Sequence, residues 1–168
     1  MSEVNHPMSR RDVVEHVALT VLGRTPIDVG EGVMLTSLDL ASAPARAELR
    51  RVLNGASEVG GESVGSVVQV RDWLLQSAES VDPESGEVSP YVRGYLLLAD
   101  GRCLRFGSAG IARSIRLYDA LERRAPWDPP WSVRIAQRQI QGGHRWYYLD
   151  DADAAPSLAK VGNKGGGK

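Results

Sequence analysis

The sequence predicts a mainly β chain: five strands closing into a barrel, one helix between the third and fourth strands, and a helical extension in front. Three observations carry this. After residue 63 the apolar residues change from helical spacing to alternation, the period of a half-buried strand. One stretch, residues 108–125, interrupts that alternation with a strongly periodic helix. Turn signals punctuate the remainder at Asp82–Glu87, Asp100-Gly101 and Gly142-Gly143.

Taken in order, residues 9–22 read as a helix. Ser9 and Asp12 resemble a capping box, Val13, Val14, Val17 and Val21 share a face, and Gly23 suits the end. Thr25 to Gly32 is a turn-rich link, and Val33 to Leu40 a short strand or extended arm. A second helix is expected from Pro44 to Asn54, capped by Ser42 or Ala43, with Leu49, Val52 and Leu53 inward and Gly55 as its stop. Ser57 to Ser63, with Gly60 and Gly61, reads as a linker. The domain boundary is placed there: an N-terminal helical extension over 1–60, a barrel domain over 61–151 and a disordered tail over 152–168.

The first barrel strand is expected within Val64 to Ser80. Val68, Val70 and Leu74 lie near one face and Gln69, Arg71 and Trp73 on the other, with an imperfect alternation that calls for a bend or bulge. In the second, Tyr91 to Ala99, Val92, Gly94, Leu96 and Leu98 oppose Tyr91, Arg93, Tyr95 and Leu97. The third, Arg102 to Phe106, sets Leu104 and Phe106 against Cys103 and Arg105. Ser108 is the N-cap of the central helix, whose stripe is Ile111, Ile115, Tyr118 and Leu121; Pro126, Pro129 and Pro130 end it. Ser132 to Ile140 and Arg145 to Leu149 are strands four and five. Strand, strand, strand, helix, strand, strand is the order of the OB-fold, a five-stranded Greek-key barrel. A four-stranded α+β sheet with the same helix is the alternative. Closure would remove exposed edges, and Gly94 would permit the coiling it needs.

Composition narrows the function classes. At 42% hydrophobic residues the chain reads as globular, and no apolar run approaches the roughly 20 residues of a membrane span. A single cysteine, Cys103, points to a reducing compartment, so a cytoplasmic location is expected, the host cytoplasm if the gene is carried by a phage. Charge is unevenly placed. Met1 to Pro90 carries 7 basic and 14 acidic residues, Tyr91 to Trp146 carries 10 and 4. A basic second half permits nucleic-acid binding.

No enzyme pattern emerges. His6, His16 and His144 lack metal-ligand spacing, Cys103 reads as a strand residue, and Asp150, Asp151 and Asp153 as an acidic chain end. Gly162 to Lys168 has the residues of a phosphate loop without its strand and helix. No catalytic residue, metal or cofactor is assigned. The better signal is aromatic and arginine residues alternating on one strand face: Arg71 and Trp73, then Tyr91, Arg93 and Tyr95, then Arg105. Rings stack on bases and arginines neutralise phosphates. The second hairpin adds Arg138, His144, Arg145 and Trp146 around a glycine tip. The first hairpin loop, with Glu79, Asp82, Glu84 and Glu87, should repel a phosphate backbone. Trp127 and Trp131, among prolines, read as a structural lid at the barrel bottom.

The segments Met34-Leu-Thr-Ser-Leu-Asp-Leu, Leu53-Asn54, Asp82-Pro-Glu-Ser-Gly-Glu-Val, Gly107-Ser-Ala-Gly-Ile and Pro126-Trp127, spread from Met34 to Leu149, together resemble a family: small single-stranded DNA-binding proteins of phages and mobile elements of Gram-positive bacteria. The resemblance implies an OB-fold and a role in replication or recombination. It brings no established binding residues. The chain departs from the housekeeping bacterial single-strand binding protein, whose acidic tail ends Pro-Phe; this one ends Gly-Gly-Gly-Lys. The expectation is therefore a non-enzymatic single-stranded DNA-binding protein with no membrane association, single or homo-oligomeric. An RNA-binding OB protein and an oligomeric interaction module without nucleic acid are the rivals.

Overall fold

The computed structural model describes residues 26–28 and 32–153. The expected helix over 9–22 and the tail from 154 lie outside them, as do His6 and His16. The described chain is mainly β: strands β1 (Ile27–Asp28), β2 (Val33–Thr36), β3 (Ser57–Glu58), β4 (Val67–Val81), β5 (Val88–Leu98), β6 (Cys103–Phe106), β7 (Trp131–Gln139) and β8 (Arg145–Asp151), with helices α1 (Ala43–Gly55) and α2 (Ala109–Leu117). All eight strands belong to one sheet.

β4 is the hub. Along one edge it pairs with β5 from Val70 to Val81. Along the other it pairs first with β7, at Val67–Val70, and then with β2, at Leu74–Gln76. β6 continues beyond β5, and β8 beyond β7. The strands expected as one to five thus lie side by side in the order β6-β5-β4-β7-β8. They do not form the closed five-stranded barrel. The outer edge of β6, which closure would use, is taken by β3 in parallel register, Glu58 opposite Arg105. β8 pairs with β7 alone among the described residues. The sheet is therefore open and mixed.

β3 also revises the domain reading. The stretch expected as a linker between 57 and 63 supplies a strand, and β2 supplies another, so one sheet runs across residue 60. α1 forms as expected. Ser42 caps it, its hydroxyl accepting from Ala45 N at 3.1 Å, and Pro44 sits in the first turn, where its missing N–H costs nothing. Val52 is buried, whereas Leu53 turns outward.

Two cores result. The larger holds Val68, Val70, Trp73, Leu75, Leu96, Leu98, Phe106, Ile111, Ile115, Trp127, Val133 and Ile135. The smaller lies on the other face, under α1, and holds Met34, Val52, Leu74, Tyr95, Leu97 and Cys103. A bulge between Val70 and Asp72 decides which residue goes where. One inserted residue inverts the alternation that follows. Trp73 therefore joins Val68 and Val70, and Leu74 crosses to the smaller core. That reverses the expected faces of this strand beyond residue 71.

Gly94 is needed for packing. A Cβ there would stand 2.0 Å from the Phe106 ring of the facing strand. In α2, Ser108 caps as expected, and Ile111 and Ile115 are fully buried. Each such side chain contributes about 1.5–3 kcal/mol. Leu121 does not follow them inward; it is 74% exposed. Residues Tyr118–Glu122 form a π-helical turn, whose wider spacing rotates the stripe. Asp119 takes the inward position and accepts from Trp73 Nε1 at 3.0 Å and Ala125 N at 2.8 Å. Trp127 and Trp131 are buried around Tyr118, which stacks on Trp131 at 3.9 Å between centroids.

Candidate nucleic-acid interface

Where β6 and β8 fail to pair, the sheet has a seam. α2 begins in it, and two hydrogen bonds tie the helix to β8. Ser108 Oγ donates to the Tyr147 carbonyl at 2.7 Å, and Leu149 N donates to Ser114 Oγ at 3.1 Å. Gly110 makes the contact fit, because a Cβ there would come within 2.2 Å of the Tyr147 carbonyl and 2.3 Å of Trp146 Nε1. In front of this junction lies a groove of about 400 Å³, lined by Glu58, Phe106, Ser108, Arg145, Trp146 and Tyr147 among others. A smaller hollow of about 130 Å³ adjoins it, lined by Tyr91, Arg93 and Arg105 and sharing Glu58, Phe106 and Gly107 with the groove. Together they make one surface path from β5, over the edge of β6, to the start of β8.

This path gathers five of the expected site residues: Tyr91, Arg93, Arg105, Arg145 and Trp146. Tyr91 is half-buried and lies beside Gly107. Arg93 donates to the Tyr91 hydroxyl at 2.9 Å and lies 5.9 Å from that ring's centroid. The hydrogen bond to Tyr91 favours the charged guanidinium and raises its pKa further. Arg105 is exposed but engaged, 2.6 Å from Glu58 Oε2. Glu58 was hidden in a stretch that looked like a linker; only the parallel register with β6 reveals it.

Arg138 and His144 extend the path along the second hairpin. Both are exposed, and Arg138 stacks at 5.7 Å over Trp146, its cross-strand partner. This is a favourable cation–π geometry. Among the described residues, Arg93, Arg138 and Arg145 have no carboxylate partner.

Three expected site residues lie elsewhere. Trp73 is fully buried, and Tyr95 is 3% exposed beneath α1. Neither ring can stack on a base: the bulge turned one into the core, and α1 covers the other. Arg71 sits outside the path and is held by Asp72 and Glu48, each at 2.8 Å. Its raised pKa has the Asp72 hydrogen bond as the first cause.

Among the described residues no three His, Cys, Asp or Glu side chains cluster as metal ligands. Cys103 is buried, and burial pushes its thiol from an ordinary 9.0 up to about 11. The thiol is therefore neutral at physiological pH, and the side chain packs in the smaller core. Among the described residues no helix is long and apolar enough to cross a membrane. Comparison with protein families, curated proteins and solved structures finds no match for this chain.

Proposed function

We propose that the chain binds single-stranded DNA, without catalysis, along the path from Tyr91 to the β7–β8 hairpin. One observation carries the reading. Two partly exposed rings, Tyr91 and Trp146, line two adjoining hollows that share Glu58, Phe106 and Gly107, and each ring has an arginine against it. Rings offer stacking platforms to unpaired bases, and arginines beside them neutralise the phosphates between. The strand adjacency β6-β5-β4-β7-β8 supports an OB-type core, opened at one seam by β3. The role in replication or recombination, and the phage or mobile-element setting, rest on the sequence resemblance.

Titration of a fluorescent oligo-dT at two salt concentrations tests this. With four arginines engaged (Arg93, Arg105, Arg138 and Arg145), log K should fall against log salt with a slope of about −3, at roughly −0.7 per phosphate. A duplex of equal length should bind more weakly, because its bases are already stacked. Matched RNA that binds more tightly would favour an RNA-binding reading. No binding of either strand type at low salt would leave the interaction-module reading.

A further inference from the structure

The outer part of the hairpin joining β4 and β5, from Glu79 to Pro90, takes no part in the groove. Its outer register pairs, Ser80 with Ser89 and Val81 with Val88, lie beyond the last β2 partner, Gln76, and the last β6 partner, Gly94. Among the described residues it is therefore a two-stranded ribbon extending from the sheet. Such ribbons are marginal on their own in water. The turn is nonetheless built: Asp82 Oδ1 accepts from Glu84 N, Ser85 N and Ser85 Oγ at 2.9, 2.7 and 3.0 Å. Glu84 and Glu87 project from it into solvent. Val81 and Val88 face each other across the ribbon and are 63% and 52% exposed. No Arg or Lys occurs from 72 to 92.

The β7–β8 hairpin is its complement. From Ser132 to Leu149 there is no Asp or Glu, and Arg134, Arg138, His144 and Arg145 are all basic. Ile140 is exposed near its tip. The register sets the two tips apart. β7 meets β4 at Val67–Val70 and then runs past the beginning of β4, with Gly65 N donating to the Ile135 carbonyl at 2.8 Å. The basic tip thus lies beyond the first residue of β4 and the acidic tip beyond its last. Within one copy they point to opposite ends.

We propose that the acidic β4–β5 arm of one copy docks on the basic β7–β8 hairpin of a second copy, head to tail, covering Val81 and Val88 against Ile140. Charge complementarity selects the partner, and the exposed apolar pair supplies area to bury. A contact of this heterologous kind closes into a ring or grows into a filament. It weakens with salt, because exposed charges are screened beyond about 10 Å at 0.1 M.

Sedimentation velocity of the full chain tests the proposal without any nucleic acid. Low salt and rising concentration should at least double the weight-average mass, and high salt should reverse this. Glu84→Lys with Glu87→Lys in one chain, and Arg138→Glu with Arg145→Glu in another, should each be monomeric. Mixing the two should restore association, since each then offers the other a complementary surface. Circular dichroism establishes that both are folded. A wild-type monomer at every salt and concentration would overturn the proposal. So would self-association that either variant retains, or that mixing fails to restore.

Discussion

Tyr91 and Tyr95 stand four residues apart on one side of β5, in an unbroken register, and the molecule uses them differently. Tyr95 is 3% exposed, packed with Met34, Val52, Leu97 and Cys103 under α1. Tyr91 lies past the end of that cover, partly buried beside Arg93 and Gly107. Residue type, strand and face are the same. What differs is whether another part of the chain reaches over. A sheet face becomes a core or a binding surface according to its cover, and here the cover ends between Tyr95 and Arg93.

The largest effects should come from the covered side. Trp73→Ala and Tyr95→Ala should each cost roughly 3–5 kcal/mol of stability, the range for truncating buried aromatics. Urea unfolding measures this. Whatever fraction stays folded should bind oligo-dT with unchanged affinity. A Tyr95→Ala chain as stable as the wild type would place the edge of the cover elsewhere.

The open side should show the converse. Tyr91→Ala should cost less stability than Tyr95→Ala, because the Tyr91 ring is only partly buried, yet weaken oligo-dT binding by about 1–3 kcal/mol, the contribution of one stacked base. The salt slope should be kept, because a ring releases no counterion. Unchanged binding by a folded Tyr91→Ala chain would move the stacking platform to Trp146 and the second hairpin alone.

Arginines sharpen the same contrast. Arg93→Ala should flatten the slope of log K against log salt by about 0.7, the loss of one phosphate contact on a single strand. Arg71→Ala should leave the slope where it was, because Asp72 and Glu48 already hold that guanidinium. Equal changes in the two variants would mean that long-range charge, not a defined path, governs binding.

Glu58 provides the smallest effect. Its ion pair with Arg105 is exposed, so it competes weakly with a phosphate. Glu58→Gln should strengthen binding about two- to fivefold, the fold-change matching an exposed ion pair. Adding Arg105→Ala should abolish the gain. A gain that persists in the double variant would show that Glu58 acts through general repulsion instead.

Much of the fold was legible locally. The five core strands, the caps at Ser42 and Ser108 and the tight turns at Gly101 and Gly142-Gly143 follow from period and turn chemistry, which act over a few residues. The site was legible in part. Tyr91, Arg93 and Arg105 come together as their alternation suggested, and Arg145 and Trp146 of the second hairpin line the adjoining groove, whereas Trp73 and Tyr95 lie elsewhere. Alternation reports that a residue faces one side of a sheet. It carries no information on whether that side is roofed.

The sequence by itself determined the β-rich class, the order of its core strands, the helix between β6 and β7, and the uneven charge. These depend on spacing along the chain, which is written residue by residue. The tertiary structure alone decided three things: that the bulge after Val70 sends Trp73 inward, that α1 roofs Tyr95, and that Ser57–Glu58 takes the edge of β6. Each is a competition between distant segments for one surface or one row of backbone hydrogen bonds. Such a competition is settled by the packing of the whole, because a sheet edge can be paired only once.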